Sequence, residues 1–515
     1  VDISTCEREK RKKHMDRDRR EKFERMFFPK SLVIVGISRT DPGLGGQFFL
    51  KNLRRAQYPG RIDLVHPTAS EIGGLRAYAH LSVLPDPVDL ALVCVPARFV
   101  PSVLEDCIRK GVPNAHILSS GFKELGTPEG FKLEEDVRRI AAAGGLNVIG
   151  PNCMGPYVPA SGLMLWGQIP ANPGSFAFLS QSGTLAQRMS EHAHFTGMGI
   201  SKAVSFGNAA VLDSTDYLEY LAEDPATRII GLYVESVQEG RRFLDRVRRL
   251  TPTKPILLWK GGESPSGAGA VASHTGTLAG KDSIWGGGLR QAGATRVYSL
   301  DEAAGTAMAF LNLPPTQGRN LFILGGGGGN SVFYADICSR LGLRIPPLAG
   351  ETRRRLTDLL PEVGSFARNP VDAWRSFYDP DYLARILELA YADSGLDMIL
   401  VDRLIPRMTY GSPEGKDHLS RTVEYLQENR SRKPLVVVIE GSGEDPFLAA
   451  EAARWRSRYC QAGIPAYASL PMAARALAHW AAYGEKVREG NFSPVSEDAL
   501  PFESGRREIP LPESR

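Results

Sequence analysis

The sequence predicts an α/β protein: a Rossmann-like domain followed by two flavodoxin-like parallel-sheet domains. Three observations predict it. Short apolar runs ending in glycine, proline or a polar turn alternate with helical stretches between about residues 31 and 480. Two runs, at residues 176–179 and 321–324, pass directly into small-residue turns that open a helix. The third region also repeats the order of the second: each has a glycine-containing turn after its first helix (Gly197-Met198-Gly199, Leu341-Gly342-Leu343) and a Lys-Pro before a later apolar strand (Lys254-Pro255, Lys433-Pro434).

At 515 residues the chain has room for about three domains of ~150 residues each. The boundaries expected are a charged arm at 1–24, domains at 25–155, 156–315 and 316–485, and a polar tail at 486–515. In the arm, Asp16, Asp18 and Glu21 interrupt the basic residues, which predicts a solvated segment rather than a nucleic-acid or membrane contact. In the first domain, Leu32-Val33-Ile34-Val35-Gly36 reads as strand and phosphate-binding turn. Further strands end at His66-Pro67, Pro96, Ser119-Ser120-Gly121 and Gly150-Pro151-Asn152. A dinucleotide fold carries an acid at the end of its second strand to hold the ribose, and His66 stands there instead, so NAD is disfavoured. Residues 156–174, rich in Pro, Gly and Ala, read as a linker. Strands then end at Ser180, at Asn208, before Glu235 and at Trp259. In the last region, residues 321–324, 398–401 and 435–439 read as strands.

A net charge of +4 gives no case for nucleic acid. Six scattered cysteines with no C-x-x-C pair argue against a disulfide framework or a zinc site, and no metal site is expected. With no apolar run near ~18 residues and a charged beginning, neither a membrane span nor a signal peptide is expected, which predicts a cytoplasmic protein.

The chemistry centres on Ala272-Ser273-His274-Thr275-Gly276, inside the run Gly261 to Gly280, whose small residues read as a loop that moves or lies against a ligand. The turns Ser180–Thr184 and Gly325–Ser331 each offer backbone N–H groups and about half a positive charge to an anion. A histidine can act as a nucleophile toward phosphoryl groups, provided a partner holds its other ring nitrogen. Glu235, expected on the same rim, suits that role. Ser182 as a nucleophile ranks below, because Ser180 replaces the first glycine of the G-x-S-x-G elbow. His192 and His194, two residues apart on a helix, do not share a face, and His116 reads as a core residue. Cys153 reads as either a buried inert thiol or a neighbour of the substrate thiol.

The motifs VIVGISRT (33–40), VPARFVP (95–101), SSGFKELG (119–126), GPNCMG (150–155), SQSGTLAQ (180–187), SFGNAAVLD (205–213), YVES (233–236), SHTGTLAG (273–280) and NPVD (369–372) together resemble the NDP-forming acyl-CoA synthetase superfamily. Within it the chain is most similar to the alpha subunit of ADP-forming acetyl-CoA synthetase, a relative of succinyl-CoA synthetase. The third region matches more loosely. The resemblance implies that the first domain binds coenzyme A, with Gly36, Ser38 and Arg39 on its phosphates and Val95, Pro96 and Ser119 lining the rest. It implies phosphorylation at His274, orientation by Glu235, Asn152 near the acyl group, and a phosphate cradle of Ser182, Gly183, Gly328 and Gly329. No segment looks like an ATP-grasp domain, which implies a hetero-oligomer with an ATP-grasp beta-type subunit that binds ATP or ADP with Mg2+. The competing expectation is a CoA- or acyl-CoA-binding regulatory protein without turnover.

Overall fold

The computed structural model describes residues 15–490, apart from 41–42, 168, 276–279, 326, 361–364, 404–412 and 442–444. The outer parts of the predicted arm and tail, at 1–14 and 491–515, lie outside the described residues.

The first sheet is built from β1 (Ser31–Val35), β2 (Arg61–Val65), β3 (Glu71–Ile72), β4 (Leu75–Tyr78), β5 (Leu90–Val93), β6 (Asn114–Ile117) and β7 (Asn147–Ile149). Its order is β3-β4-β2-β1-β5-β6-β7, all parallel except the β3–β4 pair. Apart from β3, this is the 3-2-1-4-5-6 order of the dinucleotide-binding fold. The strands β1, β5 and β6 are buried along their whole length. Helices cover both faces, which is why these runs are continuously apolar rather than alternating.

The second sheet contains β8 (Gly155–Val158), β9 (Leu163–Met164), β10 (Pro173–Ser180), β11 (Ile200–Ser205), β12 (Ile229–Val234), β13 (Ile256–Lys260) and β14 (Thr295–Val297), in the order β14-β13-β12-β10-β11-β8-β9. The third contains β15 (Leu321–Gly325), β16 (Val371–Asp372), β17 (Met398–Asp402), β18 (Leu435–Val438) and β19 (Ala466–Tyr467), in the order β16-β15-β17-β18-β19. The parallel parts of both have the flavodoxin-like 2-1-3-4-5 order. The shared Lys-Pro has one purpose in both. Lys254 donates to the carbonyls of Leu221 and Asp224, each at 2.6 Å, and Lys433 to those of Ala390 (3.1 Å) and Asp393 (2.5 Å). Each ammonium satisfies the free carbonyls at the end of a preceding helix, where a cation is favoured.

Three sequence expectations change. Residues 156–174 are not simply a linker: β8 and β9 add two antiparallel strands to the second sheet, and Trp166, fully buried, stacks on Tyr157 at 5.4 Å. The charged arm contains the helix Arg17–Phe27, whose Phe23, Met26 and Phe27 are buried. Some of its bases also meet carboxylates of the second domain: Arg19 pairs with Glu219 at 2.7 Å and with Asp216, and the half-exposed Arg20 with Glu223 at 3.0 Å. The run after β13 contains the helix Pro265–Thr275 rather than a continuous loop. Proline stands at its first position, Ser264 Oγ accepts from the Gly267 N–H at 3.1 Å, and Ala268, Ala270 and Ala272 are strong helix formers.

The last helix, Leu470–Glu489, lies against the helix Leu300–Asn312 and joins the second and third sheets. Phe310 meets Trp480 edge to face at 5.0 Å, and the Tyr483 hydroxyl donates to the Thr251 carbonyl at 2.9 Å.

Candidate functional site

The parallel register Ser180↔Tyr233 brings the ends of β10 and β12 side by side, so the turn after Ser180 and the residue Glu235 share one rim. The contact is direct. Gln181 Oε1 accepts from the N–H groups of Glu235 (2.5 Å) and Ser236 (3.0 Å). Ser182 caps the helix Gly183–Phe195 by accepting from the Leu185 N–H at 3.3 Å, so its hydroxyl has a local structural task. A Cβ at Gly183 would lie 2.8 Å from Met154 Cγ, so any larger residue there would have to displace the Met154 side chain.

Glu235 is 4% exposed and receives a hydrogen bond from the Tyr233 hydroxyl at 3.2 Å. Burial, reinforced by the Glu235 carboxylate, pushes the Tyr233 hydroxyl well up, so it stays a donor. A Cβ at Gly261 would sit 3.2 Å from Glu235 Cγ, so the carboxylate side chain lies over the start of the segment that leads to His274. That segment's helix, Pro265–Thr275, packs against the short turn Lys123–Leu125 of the first domain. His274 is the helix's penultimate residue, and its side chain lies outside the described residues.

Lys260, at the end of β13, is a buried cation that sequence reading passed over. It donates to the Gly261 carbonyl and stands 5.3 Å from the Trp285 ring centroid. Desolvation pulls its ammonium down to about 8, against the opposing effect of the Glu235, Asp282 and Glu263 carboxylates and with the help of Arg296. Between about pH 8 and the ordinary lysine value near 10.5, the unfolded chain therefore holds a proton that the folded chain has released. Stability from this group rises with pH across that window. In urea melts, wild type is expected to gain stability relative to Lys260→Met between pH 8 and 10.5; a constant difference would refute this.

In the first domain, Gly36 (φ +90°) closes against Val95, whose Cγ1 lies 2.7 Å from where a Cβ would stand. Ser119 Oγ donates to the Val95 carbonyl, and the Asn152 N–H donates to the Ser119 carbonyl at 3.0 Å. Gly36, Val95, Ser119 and Asn152 thus form one continuous edge, with Pro96 exposed beside it. Ser38 and Arg39 lie beyond it: Ser38 Oγ accepts from the Thr40 N–H at 3.2 Å, and exposed Arg39 reaches Thr68 Oγ1 at 3.2 Å. His66 Nδ1 accepts from the N–H groups of Thr68 and Ala69 (3.1 and 2.9 Å), so the position expected of a ribose-binding acid caps a turn.

The two domains meet through a polar network. Asn152 Nδ2 donates to Asn208 Oδ1 at 3.5 Å, and Asn208 Nδ2 donates to Glu124 (2.6 Å) and Glu134 (2.9 Å). Lys123 pairs with Glu134 at 3.0 Å and donates to the Asn208 carbonyl at 2.9 Å. These residues, like Gln181, lie inside the quoted motifs, except Glu134, which lies in the helix Pro128–Gly144, and nothing in the spacing says which of them turn inward. Cys153 is buried, and its thiol is pushed up by desolvation. His116 is fully buried, held at Nε2 by the Cys153 carbonyl at 3.0 Å and kept neutral by desolvation, which pulls it down to about 4.

Gly328 and Gly329 open the helix Gly328–Arg340 at the end of β15, with nothing within 4 Å of where their Cβ atoms would stand. They belong to the third sheet, whereas Ser182 and Gly183 belong to the second. Gly327 donates its N–H to Asp372 at 2.9 Å, and Tyr334 donates to Asp402 at 2.6 Å, so two carboxylates flank this turn. Desolvation pushes Asp402 up to about 6. Among the described residues no group of three His, Cys, Asp or Glu is placed to hold a metal ion, and no helix is long and apolar enough to cross a membrane.

Residues 30–158 match the CoA binding domain, and residues 173–310 the succinyl-CoA ligase like flavodoxin domain. The acetate–CoA ligase [ADP-forming] I subunit alpha of Pyrococcus furiosus is 36% identical over 474 residues, covering 90% of this chain and 99% of its own length. The chain belongs to this family of ADP-forming acyl-CoA ligases. The acetate–CoA ligase [ADP-forming] I of Archaeoglobus fulgidus is 37% identical over 378 residues; the match covers 73% of this chain but 54% of that protein. The structure of a dinucleotide forming acetyl-coenzyme A synthetase 1 of Ca. Korarchaeum cryptofilum, in complex with phosphate and ADP, superposes with a TM-score of 0.80 at 30% identity, over 91% of this chain and 98% of that one. These relatives are named as acid–thiol ligases, and nothing in them supports a binding protein without turnover.

Proposed function

We propose that the chain is the alpha-type subunit of an NDP-forming acyl-CoA synthetase, interconverting acyl-CoA, phosphate and NDP with carboxylic acid, CoA and NTP. The observation that carries this reading is Glu235, pinned through Gln181 to the Ser182-Gly183 turn and lying over Gly261, where the His274 segment begins.

Phosphate oxygen attacks the thioester carbon of acyl-CoA, and the CoA thiolate leaves, giving acyl phosphate. His274 attacks the phosphorus, the P–O bond to the acyl group breaks, and the carboxylate leaves. The phosphohistidine then passes its phosphoryl group to an NDP. Glu235 holds the opposite ring nitrogen and offsets the positive charge that forms on the ring. The helix start at Gly183 and, on this reading, that at Gly328-Gly329 point their N–H groups at the phosphoryl oxygens. CoA is assigned to Gly36, Ser38, Arg39, Val95, Pro96 and Ser119, with Asn152 toward the acyl group; exposed Arg39 and the uncapped helix start at Gly46 fit a phosphorylated ligand. Nucleotide and Mg2+ are assigned to an ATP-grasp beta-type subunit in a cytoplasmic hetero-oligomer. The domain division is 25–155, 156–315 and 316–485.

Incubation with acetyl phosphate, followed by digestion at alkaline pH, is expected to place acid-labile phosphate on the peptide containing His274. Label on another residue, or none in the presence of the nucleotide-binding partner, would overturn the reading. Glu235→Gln keeps the shape but loses the charge that stabilises the ring, and is expected to slow phosphorylation by about 10^2- to 10^4-fold. Rapid-quench measurement of phosphohistidine formation checks this.

A further inference from the structure

The segment that carries His274 leaves the second sheet at the end of β13 and returns to it through the helix Asp282–Gln291 and β14. One side chain holds both ends. Arg296 of β14 is paired with Leu258 of β13, two positions before Lys260, so Arg296 and Lys260 project from the same face of the sheet. Arg296 Nη2 donates to Glu263 Oε1 at 2.9 Å, just before the helix Pro265–Thr275. The same nitrogen donates to Asp282, the first residue of the next helix, and Nη1 adds a second bond to Asp282 at 3.3 Å. Glu263 and Asp282 lie on either side of His274 in sequence, and this guanidinium joins them.

A second tie runs beside it. Lys260 donates to the Gly261 carbonyl, where the segment starts, and lies 5.3 Å from the Trp285 ring centroid. Trp285 Nε1 stands 3.1 Å from where a Cβ of Gly280 would be, at the far end, where Gly280 turns with φ +73°. Gly286 leaves room for the guanidinium, since its Cβ would lie 3.0 Å from Arg296 Nη1. The Arg296 Nε–H is buried without an acceptor among the described residues, which costs stability. The guanidinium is thus oriented for its two carboxylates rather than for full use of its own donors.

We infer that Arg296 is a positioning residue for phosphorylation of His274: by joining Glu263 to Asp282 it fixes where the helix Pro265–Thr275 stands relative to the rim that holds Glu235. The inference rests on the reading above and adds to it the residue that sets the histidine's approach. The Glu263 and Asp282 side chains are 32% and 41% exposed, so either ion pair alone contributes little to stability. Their joint effect is geometric. Tying the two ends of a segment removes arrangements in which the ring on it is out of reach, and a shift of about 1 Å at a reacting atom can cost about 100-fold in rate. Arginine suits the task because its planar fork meets two carboxylates in fixed directions, whereas a lysine ammonium is a point charge.

The test uses the full chain in complex with its nucleotide-binding partner. Rapid-quench phosphorylation of His274 by acetyl phosphate is compared with exchange between acyl-CoA plus phosphate and acyl phosphate plus CoA, which on the proposed mechanism forms no bond to the ring. Arg296→Met is expected to slow phosphorylation by about 100-fold and to leave exchange within about threefold of wild type. Arg296→Lys should recover part of that loss. Glu263→Gln and Asp282→Asn keep the side-chain shapes and should each slow phosphorylation by about tenfold, half of the Arg296→Met effect on a logarithmic scale. Because the three groups act through one junction, Arg296→Met combined with Glu263→Gln should be no slower than Arg296→Met alone. Losses that add, or an equal fall in exchange, would overturn the inference. If Arg296→Met does not fold, the two isosteric variants decide the matter on the same two rates. Absence of label on His274 in wild type sinks the reading of function, whereas label that forms at the wild-type rate in every variant sinks only the role of Arg296.

Discussion

His274→Ala is expected to lower overall acyl-CoA synthesis by about 10^4-fold or more, while exchange between acyl-CoA plus phosphate and acyl phosphate plus CoA stays within about tenfold of wild type. The split follows from where the imidazole enters. On the proposed mechanism the first step joins phosphate to the acyl carbon and draws on the edge assigned to CoA and the Gly183 turn, but not on a nucleophilic side chain. Only the second step forms a bond to the ring. The fold should be little affected, because residue 274 is the next-to-last of a helix whose first turn is secured by Ser264 and Pro265. Paired measurements of overall synthesis and of partial exchange check the prediction. Equal loss of both would mean that His274 shapes the CoA site instead, and loss of neither would remove it from the chemistry.

Phe23→Ala is expected to cost about 3–5 kcal/mol of stability, the largest structural penalty anticipated for a single truncation near the amino end. Phe23 is fully buried although its helix belongs to the charged beginning of the chain. Its ring stacks on Tyr220 at 5.3 Å and meets Tyr217 edge-on at 6.0 Å, both on the helix Ser214–Glu223 of the second domain. Phe27 also meets Tyr220, at 5.1 Å. The nearby ion pairs contribute far less. Arg20 is about half exposed in its pair with Glu223, so Arg20→Ala should cost under about 1 kcal/mol. The contrast in urea midpoints between the two variants decides whether aromatic packing or charge holds this helix down. A penalty for Arg20→Ala as large as that for Phe23→Ala would reverse the assignment.

Much of the architecture was legible because parallel strands buried on both faces leave unbroken apolar runs, and their helices begin at small-residue turns. The strands at residues 31–35, 90–93, 321–325 and 398–402 are of this kind. Edge elements were not legible, because β9, β16 and β19 are two residues long and carry no period. The helix Arg17–Phe27 was misread because its apolar side, Phe23, Met26 and Phe27, is outnumbered by charges. Those charges looked solvated until Asp216, Glu219 and Glu223 were placed opposite them.

The site divides along the same line. Sequence alone determined the residue types: a histidine among small residues, a strand-end glutamate, and turns whose amides suit an anion. It also determined the family, because several motifs recur in order along one chain. Only the tertiary structure decided that Gln181 joins Glu235 to the Gly183 turn, that Lys260 is buried beside them, and that Asn208 ties the second domain to Asn152 of the first. These are contacts between residues more than 50 positions apart, or consequences of burial. Local spacing encodes neither, because both depend on which strands become neighbours in a sheet.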